Sequence, residues 1–208
     1  MTVYTKSYSP PPIDKKEILR YAGVGEPTAE ILSLVNETLA EVEGRLSYRA
    51  CYCEIPVRVD GDGVDFGFTY VKSTSLSKNL FGCDSAILFA ATLGLELDRM
   101  LHRLSAFSPA KALILQSIGA ERIEALCNAF NDEIKKNAAL EHCSTRPRFS
   151  PGYGDFSIEF QRDIFRTLAC SRKIGLSLTE SLLMYPSKSV SAIIGIEKTN
   201  DNPSGEKI

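Results

Sequence analysis

The sequence predicts an α+β fold: helices packed on a twisted, mainly antiparallel sheet, with a helical N-terminal part. Three observations carry this. Apolar residues recur at helical spacing over long stretches, they alternate in two runs, 51–59 and 64–70, and no regular strand-helix-strand rhythm joins the two kinds of segment.

The elements follow in order. In IDKKEILRYAG, Asp14 is placed to cap a short helix, with Glu17 three residues on as the second half of a capping box and Gly23 where the helix would stop. Residues 27–43 place Ile31, Leu34, Val35, Leu39 and Val42 on one helical face, after Pro27 in a first-turn position. Cys51, Cys53, Ile55, Val57 and Val59 then alternate with more polar residues. After DGDG, Val64, Phe66, Phe68 and Tyr70 do the same, which predicts a β-hairpin.

Ser75 is placed to cap a brief helix ending at Gly82, and SAILFAAT after it predicts a buried strand. Leu97, Met100, Leu101 and Leu104 mark a further helix. Ser108-Pro109 opens a long one to about residue 139, with Ile123, Cys127, Phe130 and Ile134 in its stripe. Ile158, Ile164, Phe165 and Leu168 give a helix of about three turns, and SLLMYPSKSVSAIIGI reads as a closing strand pair around a proline turn. Residues 1–196 are expected to form one unit, 1–48 helical and 49–196 ligand-binding, with 197–208 a disordered tail.

The totals exclude several classes. Net charge is −2, with 44% hydrophobic and 24% charged residues, which gives no electrostatic reason to expect nucleic acid or an anionic membrane surface. The longest apolar run, Ala86 to Leu95, is about half the ~20 residues of a membrane span, so a cytoplasmic protein is expected. Six cysteines without framework spacing read as reduced thiols, most of them small hydrophobes.

Most local motifs lead to structure. DGDGVD resembles a calcium loop, but Val64 stands where a third ligand is needed, so it reads as a hairpin turn. Cys51-x-Cys53 shares a strand face, yet with only His102 and His142 in the chain it matches no paired zinc spacing. Neither a phosphate-cradling glycine loop nor a signature for a Cys/His nucleophile is present.

RPRFSPGYGDF, residues 146–156, differs. Arg148 is a planar fork suited to a carboxylate, Gly152 and Gly154 allow backbone to approach a ligand, and Tyr153 offers an aromatic wall that also suits a cation such as a sulfonium. On composition alone, a rigid loop whose arginine caps the preceding helix explains the stretch more simply.

Read with KIGLSLTESLLMYPSKSVSAIIGI downstream, the loop resembles the activation (reactivation) domain of vitamin B12-dependent methionine synthase. The shared pattern is Arg148, Pro151, Gly152 and Tyr153, then Leu178, Thr179, Glu180 and Ser181, then Met184 and Pro186, then Ser189, Val190 and Ser191. RIEALCNAFNDEIKK is similar to the family helix that precedes this loop. The length resembles the short relatives in which the domain is a separate chain.

The resemblance implies an S-adenosylmethionine-binding protein that supports reductive methylation of cob(II)alamin on a cobalamin-dependent methionine synthase. It would act as a separately encoded component of that methyltransferase rather than as an independent catalyst. Carried over, the site is Arg148 for the methionyl carboxylate, Ser150, Gly152 and Tyr153 around the ligand, and Glu124 for the α-ammonium or a ribose hydroxyl, with Glu121 as its neighbouring alternative. Glu180 and Ser181 are implied site support. The resemblance also implies cobalamin only through a partner corrinoid protein, and a flavodoxin-like electron donor. The chain departs from the family where GDFSIE follows Tyr153 and where a late tyrosine falls near Asn202. It carries no D-x-H-x-x-G corrinoid signature. A docking protein for another corrinoid methyltransferase that no longer binds the nucleoside, or an unrelated cysteine-dependent redox or metal protein, are the alternatives.

Overall fold

Strand β6 (Ser85–Thr92) is the hub of the chain and the reason it folds in three layers. Ala86, Leu88 and Ala90 point to one face and Ile87, Phe89 and Ala91 to the other, so a continuous apolar run becomes the centre of a sheet covered on both sides. The computed structural model describes residues 1–199. Around β6 stands a five-stranded sheet in the order β1-β2-β6-β10-β7, from β1 (Tyr4–Ser7), β2 (Arg49–Pro56), β10 (Ser189–Lys198) and β7 (Cys143–Thr145). Every neighbouring pair is antiparallel.

One face carries helix α5 (Pro109–Leu140), whose Ile123, Leu126, Cys127, Phe130 and Ile134 pack on Phe89, Ala192 and Ile194. Its N-terminal half turns to a helical cluster made with α1 (Lys15–Tyr21), α2 (Ala29–Val42) and α4 (Glu96–Leu104). Gly119 lies at the crossover: a Cβ there would stand 2.8 Å from Leu97 Cδ1 and 2.9 Å from Lys188 Cε, so any larger residue would have to displace both side-chain ends. The other face carries a three-stranded sheet of β3 (Arg58–Asp60), β4 (Gly63–Asp65) and β5 (Tyr70–Lys72). With it come α3 (Thr74–Leu80), α6 (Phe160–Leu168), α7 (Cys170–Ile174) and the small pair β8 (Ser177–Leu178) and β9 (Met184–Tyr185).

The fold class agrees with expectation, and the departures are local. Asp14 caps α1 by accepting from Lys16 and Glu17 backbone N–H, but the reciprocal half of the capping box is not made. Glu17 pairs with Arg20, and Asp14 N–H reaches Glu121 instead, at 3.1 Å. Thr28, not Pro27, is the boundary of α2, and Ser73 rather than Ser75 caps α3. The expected hairpin forms only as β3–β4 around Asp60–Gly63. Residues 49–56 pair with β1 and β6, because the chain breaks pairing at Val57 and changes sheets.

The closing segment does not pair with itself. Met184–Tyr185 pairs with Ser177–Leu178, a cis Tyr185–Pro186 bond follows, and β10 enters the main sheet between β6 and β7. The N-terminal part begins with a strand, β1, as well as helices. Residues 197–198 are strand rather than tail, with Glu197 and Lys198 opposite Ser144 and Cys143. The rest of the expected tail, including Asn202, lies outside the described residues apart from Thr199, which bonds to His142 O.

Candidate functional site

The β10 edge creates a cleft. Its ladder with β7 covers Ile196–Lys198 and a single bridge joins Ile193 to Phe149, so Ser189–Ser191 runs beyond the register of that neighbour. There a cleft of about 420 Å³ opens, walled by α5, the loop after β7, the first turn of α6 and β10. Glu124, Arg148, Ser150, Pro151 and Tyr153 line it together with Gln161, Met184 and Ser191.

The loop is held from within. Phe149 exchanges backbone hydrogen bonds with Ile193, Gly152 N–H donates to Phe156 O at 2.8 Å, and Phe156 N–H donates to Tyr153 O at 3.0 Å. Gly152 and Gly154 have φ of +94° and +58°, the left-handed region where glycine costs nothing. Phe149 stacks on Phe156 with centroids 6.0 Å apart and buries the loop's inner side, which leaves Tyr153 66% exposed at the lip.

Asp155 fastens the loop to the start of α3. Its carboxylate accepts from Ser73 Oγ at 2.6 Å and from the backbone N–H of Thr74 and Ser75 at 2.7 and 3.0 Å. These donors, the Ser73 hydroxyl foremost, hold its carboxyl well below the usual carboxylate range.

At the charged end, Arg148 donates Nη1 to Asn128 Oδ1 at 3.0 Å and Nη2 to Glu124 Oε2, both acceptors on α5. Glu121, the alternative to Glu124, is committed elsewhere. It forms a buried two-point pair with Arg122, with both contacts at 2.5 Å, while Arg122 also holds the carbonyls of Pro11 and Pro12. Arg146 likewise turns away, to Glu197 at 2.9 Å and Phe81 O at 2.8 Å. A second cleft of about 330 Å³ lies beyond Glu124 and Asn128, between α5 and the strap at Pro11–Asp14.

Of the residues expected from sequence, Glu124, Arg148, Ser150 and Tyr153 share the cleft wall, with Gly152 setting the loop between them. Glu180 and Ser181 stand apart, exposed at the tip of hairpin β8–β9. The Glu180 carbonyl accepts from Arg162, and Ser181 Oγ bonds to Thr179 Oγ1. The hairpin reaches the cleft through Met184.

Among the lining residues outside the expected site, two carry unpaired polar atoms. Gln161 and Ser191 are 5% and 2% exposed, and Gln161 Oε1 and Ser191 Oγ have no hydrogen-bond partner. Gln161 occupies the stripe of Ile164 and Leu168, and a polar residue at such a core position was the available signal.

The thiols lie off the cleft. All six are free, and burial pushes Cys53 up to about 11 and Cys127 up to about 12. Among the described residues no cluster of three or more His, Cys, Asp or Glu could hold a metal, and no helix is long and apolar enough to cross a membrane.

Comparison with curated proteins gives no match. Among solved structures, the crystal structure of the MetH reactivation domain bound to AdoHcy is similar to this chain. The TM-score is 0.70 and the identity 18%, over 94% of this chain and 78% of that one, a likeness of fold. The family described as vitamin B12 dependent methionine synthase, activation domain, matches residues 76–201, more than half of the chain and every residue named on the cleft wall. The chain therefore belongs to the vitamin B12-dependent methionine synthase activation-domain family.

Proposed function

We propose that the protein binds S-adenosylmethionine in the cleft beside Arg148 and supports reductive methylation of cob(II)alamin carried by a separately encoded methionine synthase. The observation that carries this reading is the Arg148–Glu124 pair at one end of a cleft of about 420 Å³. A methionyl group is a zwitterion. Its carboxylate suits the Arg148 fork and its ammonium suits Glu124, so binding exchanges one ion pair for two without changing the net charge of the site. The AdoHcy in the solved relative supports the same ligand class.

The chain's own part is positioning. Ser150, Gly152 and Tyr153 form the loop over the ligand, and the half-buried apolar wall of Met184 and Val190 suits the methylene chain that leads to its sulfur. The sulfonium supplies an activated methyl group. The acceptor is cobalt on the partner, brought to its nucleophilic state by one electron from a flavodoxin-like donor, and S-adenosylhomocysteine is the product left in the cleft. Residues 1–198 would act as one unit, in the cytoplasm.

A second reading draws on the same arginine. Its fork is already satisfied by Asn128 and Glu124, as in a relative that keeps the fold to dock a corrinoid methyltransferase and no longer binds the nucleoside.

Reconstitution separates the two. A corrinoid methionine synthase held in the Co(II) state, with a reductant and S-adenosylmethionine labelled at the methyl carbon, should acquire label only when this protein is added. Co-purification with the corrinoid protein but no label transfer favours the docking reading.

A further inference from the structure

We infer that Gln161 and Ser191 form an adenine-reading subsite at the uncharged end of the cleft. This rests on the nucleoside-binding reading above and names what recognises the base. The cleft is polar at both ends, but in different ways. Arg148 and Glu124 supply charge and pair with each other, with Asn128 accepting from Arg148 beside them, whereas Gln161 Oε1 and Ser191 Oγ are buried and have no partner.

Leaving such atoms unpaired costs about 1–3 kcal/mol each. Of the six buried side-chain polar atoms without a partner among the described residues, these two line the cleft, and those of Ser77, Asn79, Asn131 and Arg146 do not. Their neighbours argue against chance. Ser189, two residues before Ser191 on the same strand face, is satisfied by Thr92 Oγ1 and Pro186 O, each at 2.8 Å. Ser189 lines the cleft as well, but its hydroxyl is already used, so the one left open there is that of Ser191.

The chemistry then selects the base. With the amino-acid part of the ligand at the charged end, what reaches Gln161 is uncharged. A carboxamide presents an acceptor beside a donor, which matches the N6 amino group and the adjoining ring nitrogen of adenine as a two-point pair. The Ser191 hydroxyl serves either sense of hydrogen bond next to it. Phe149 and Pro151 of the loop and Val190 of β10 give the ring apolar walls. Gln161 is held on the first turn of α6, whose Phe160 packs against Phe156 of the loop at 5.3 Å between centroids, which ties the reader to the loop.

The test compares S-adenosylhomocysteine with S-inosylhomocysteine, in which oxygen replaces the N6 amino group, by calorimetry on the full chain. Wild type should prefer the adenosyl ligand by about tenfold or more, and Gln161→Leu should reduce that preference to about twofold or less. Ser191→Ala should weaken the adenosyl ligand about fivefold, the loss of one hydrogen bond. Arg148→Ala should weaken both ligands by the same factor and keep their ratio.

Equal binding of the two ligands to wild type, or a preference undiminished in Gln161→Leu, overturns the subsite while leaving the nucleoside reading intact. Failure of wild type to bind either ligand overturns both. If Gln161→Leu does not fold, the wild-type ratio and Ser191→Ala decide.

Discussion

Arg148 reaches across from the loop after β7 and donates to Glu124 on helix α5, which closes one end of the cleft with an ion pair. A pair so placed is a latch for a zwitterion, and its two members should fail differently. Glu124→Gln removes the partner for an ammonium but keeps a hydrogen-bond acceptor, so it should weaken S-adenosylmethionine by about tenfold, the value of a charged bond. It should weaken 5′-methylthioadenosine, which has no ammonium, much less. Equal losses for both ligands in paired titrations would remove Glu124 from the amino-acid end.

Asp155 is the loop's tether, and its pH behaviour follows from its three donors. Its carboxyl titrates below the ordinary range in the folded protein, so its contribution to stability is complete above about pH 4, the unfolded value, and is lost as pH falls toward the lowered folded one. The melting temperature of Asp155→Ala should lie a few degrees below wild type, by a constant margin from pH 7 down to about 4. Below that the margin should shrink. Thermal scans across pH 2.5 to 7 check it, and a margin that widens in acid would refute the tether.

The buried Glu121–Arg122 pair fixes the N-terminal strap through the Pro11 and Pro12 carbonyls. Arg122→Leu leaves a buried carboxylate and two carbonyls without their donor, and should cost about 3–5 kcal/mol in urea unfolding. The double variant Glu121→Gln with Arg122→Leu should recover part of that loss.

Thiol chemistry should be confined to the surface. With Cys53 and Cys127 raised to about 11 and about 12 by burial, their thiolates are scarce at neutral pH. Alkylation followed by mass spectrometry should find Cys143, the one cysteine that is not buried, modified first. Early modification of Cys53 would revive a cysteine-based activity.

Much of this was legible because the signals were local. The Ser108-Pro109 start of α5, the β6 run and the DGDG turn are each written in a few adjacent residues. What escaped depends on distant partners. Nothing near Tyr4 announces that it pairs with Tyr52, and the alternation through Val59 gives no sign that the chain changes sheets at Val57. Gly82 ends α3 as expected, but its cap moved from Ser75 to Ser73 because Asp155, eighty residues away, takes the Ser75 N–H.

In the cleft, Arg148 and Tyr153 stood out through loop composition and family pattern. Gln161 was hidden inside an otherwise apolar helical stripe, where its meaning appears only once its side chain is seen without a partner.

The central claim is that Arg148 receives the carboxylate of a bound S-adenosylmethionine. Calorimetric titration of wild type and Arg148→Ala tests it most directly. Wild type should bind with heat at ligand concentrations below about 1 mM, and the variant should lose about tenfold or more of that affinity, the value of a charge-assisted bond. No binding to wild type at that concentration, or equal binding to both proteins, would contradict it.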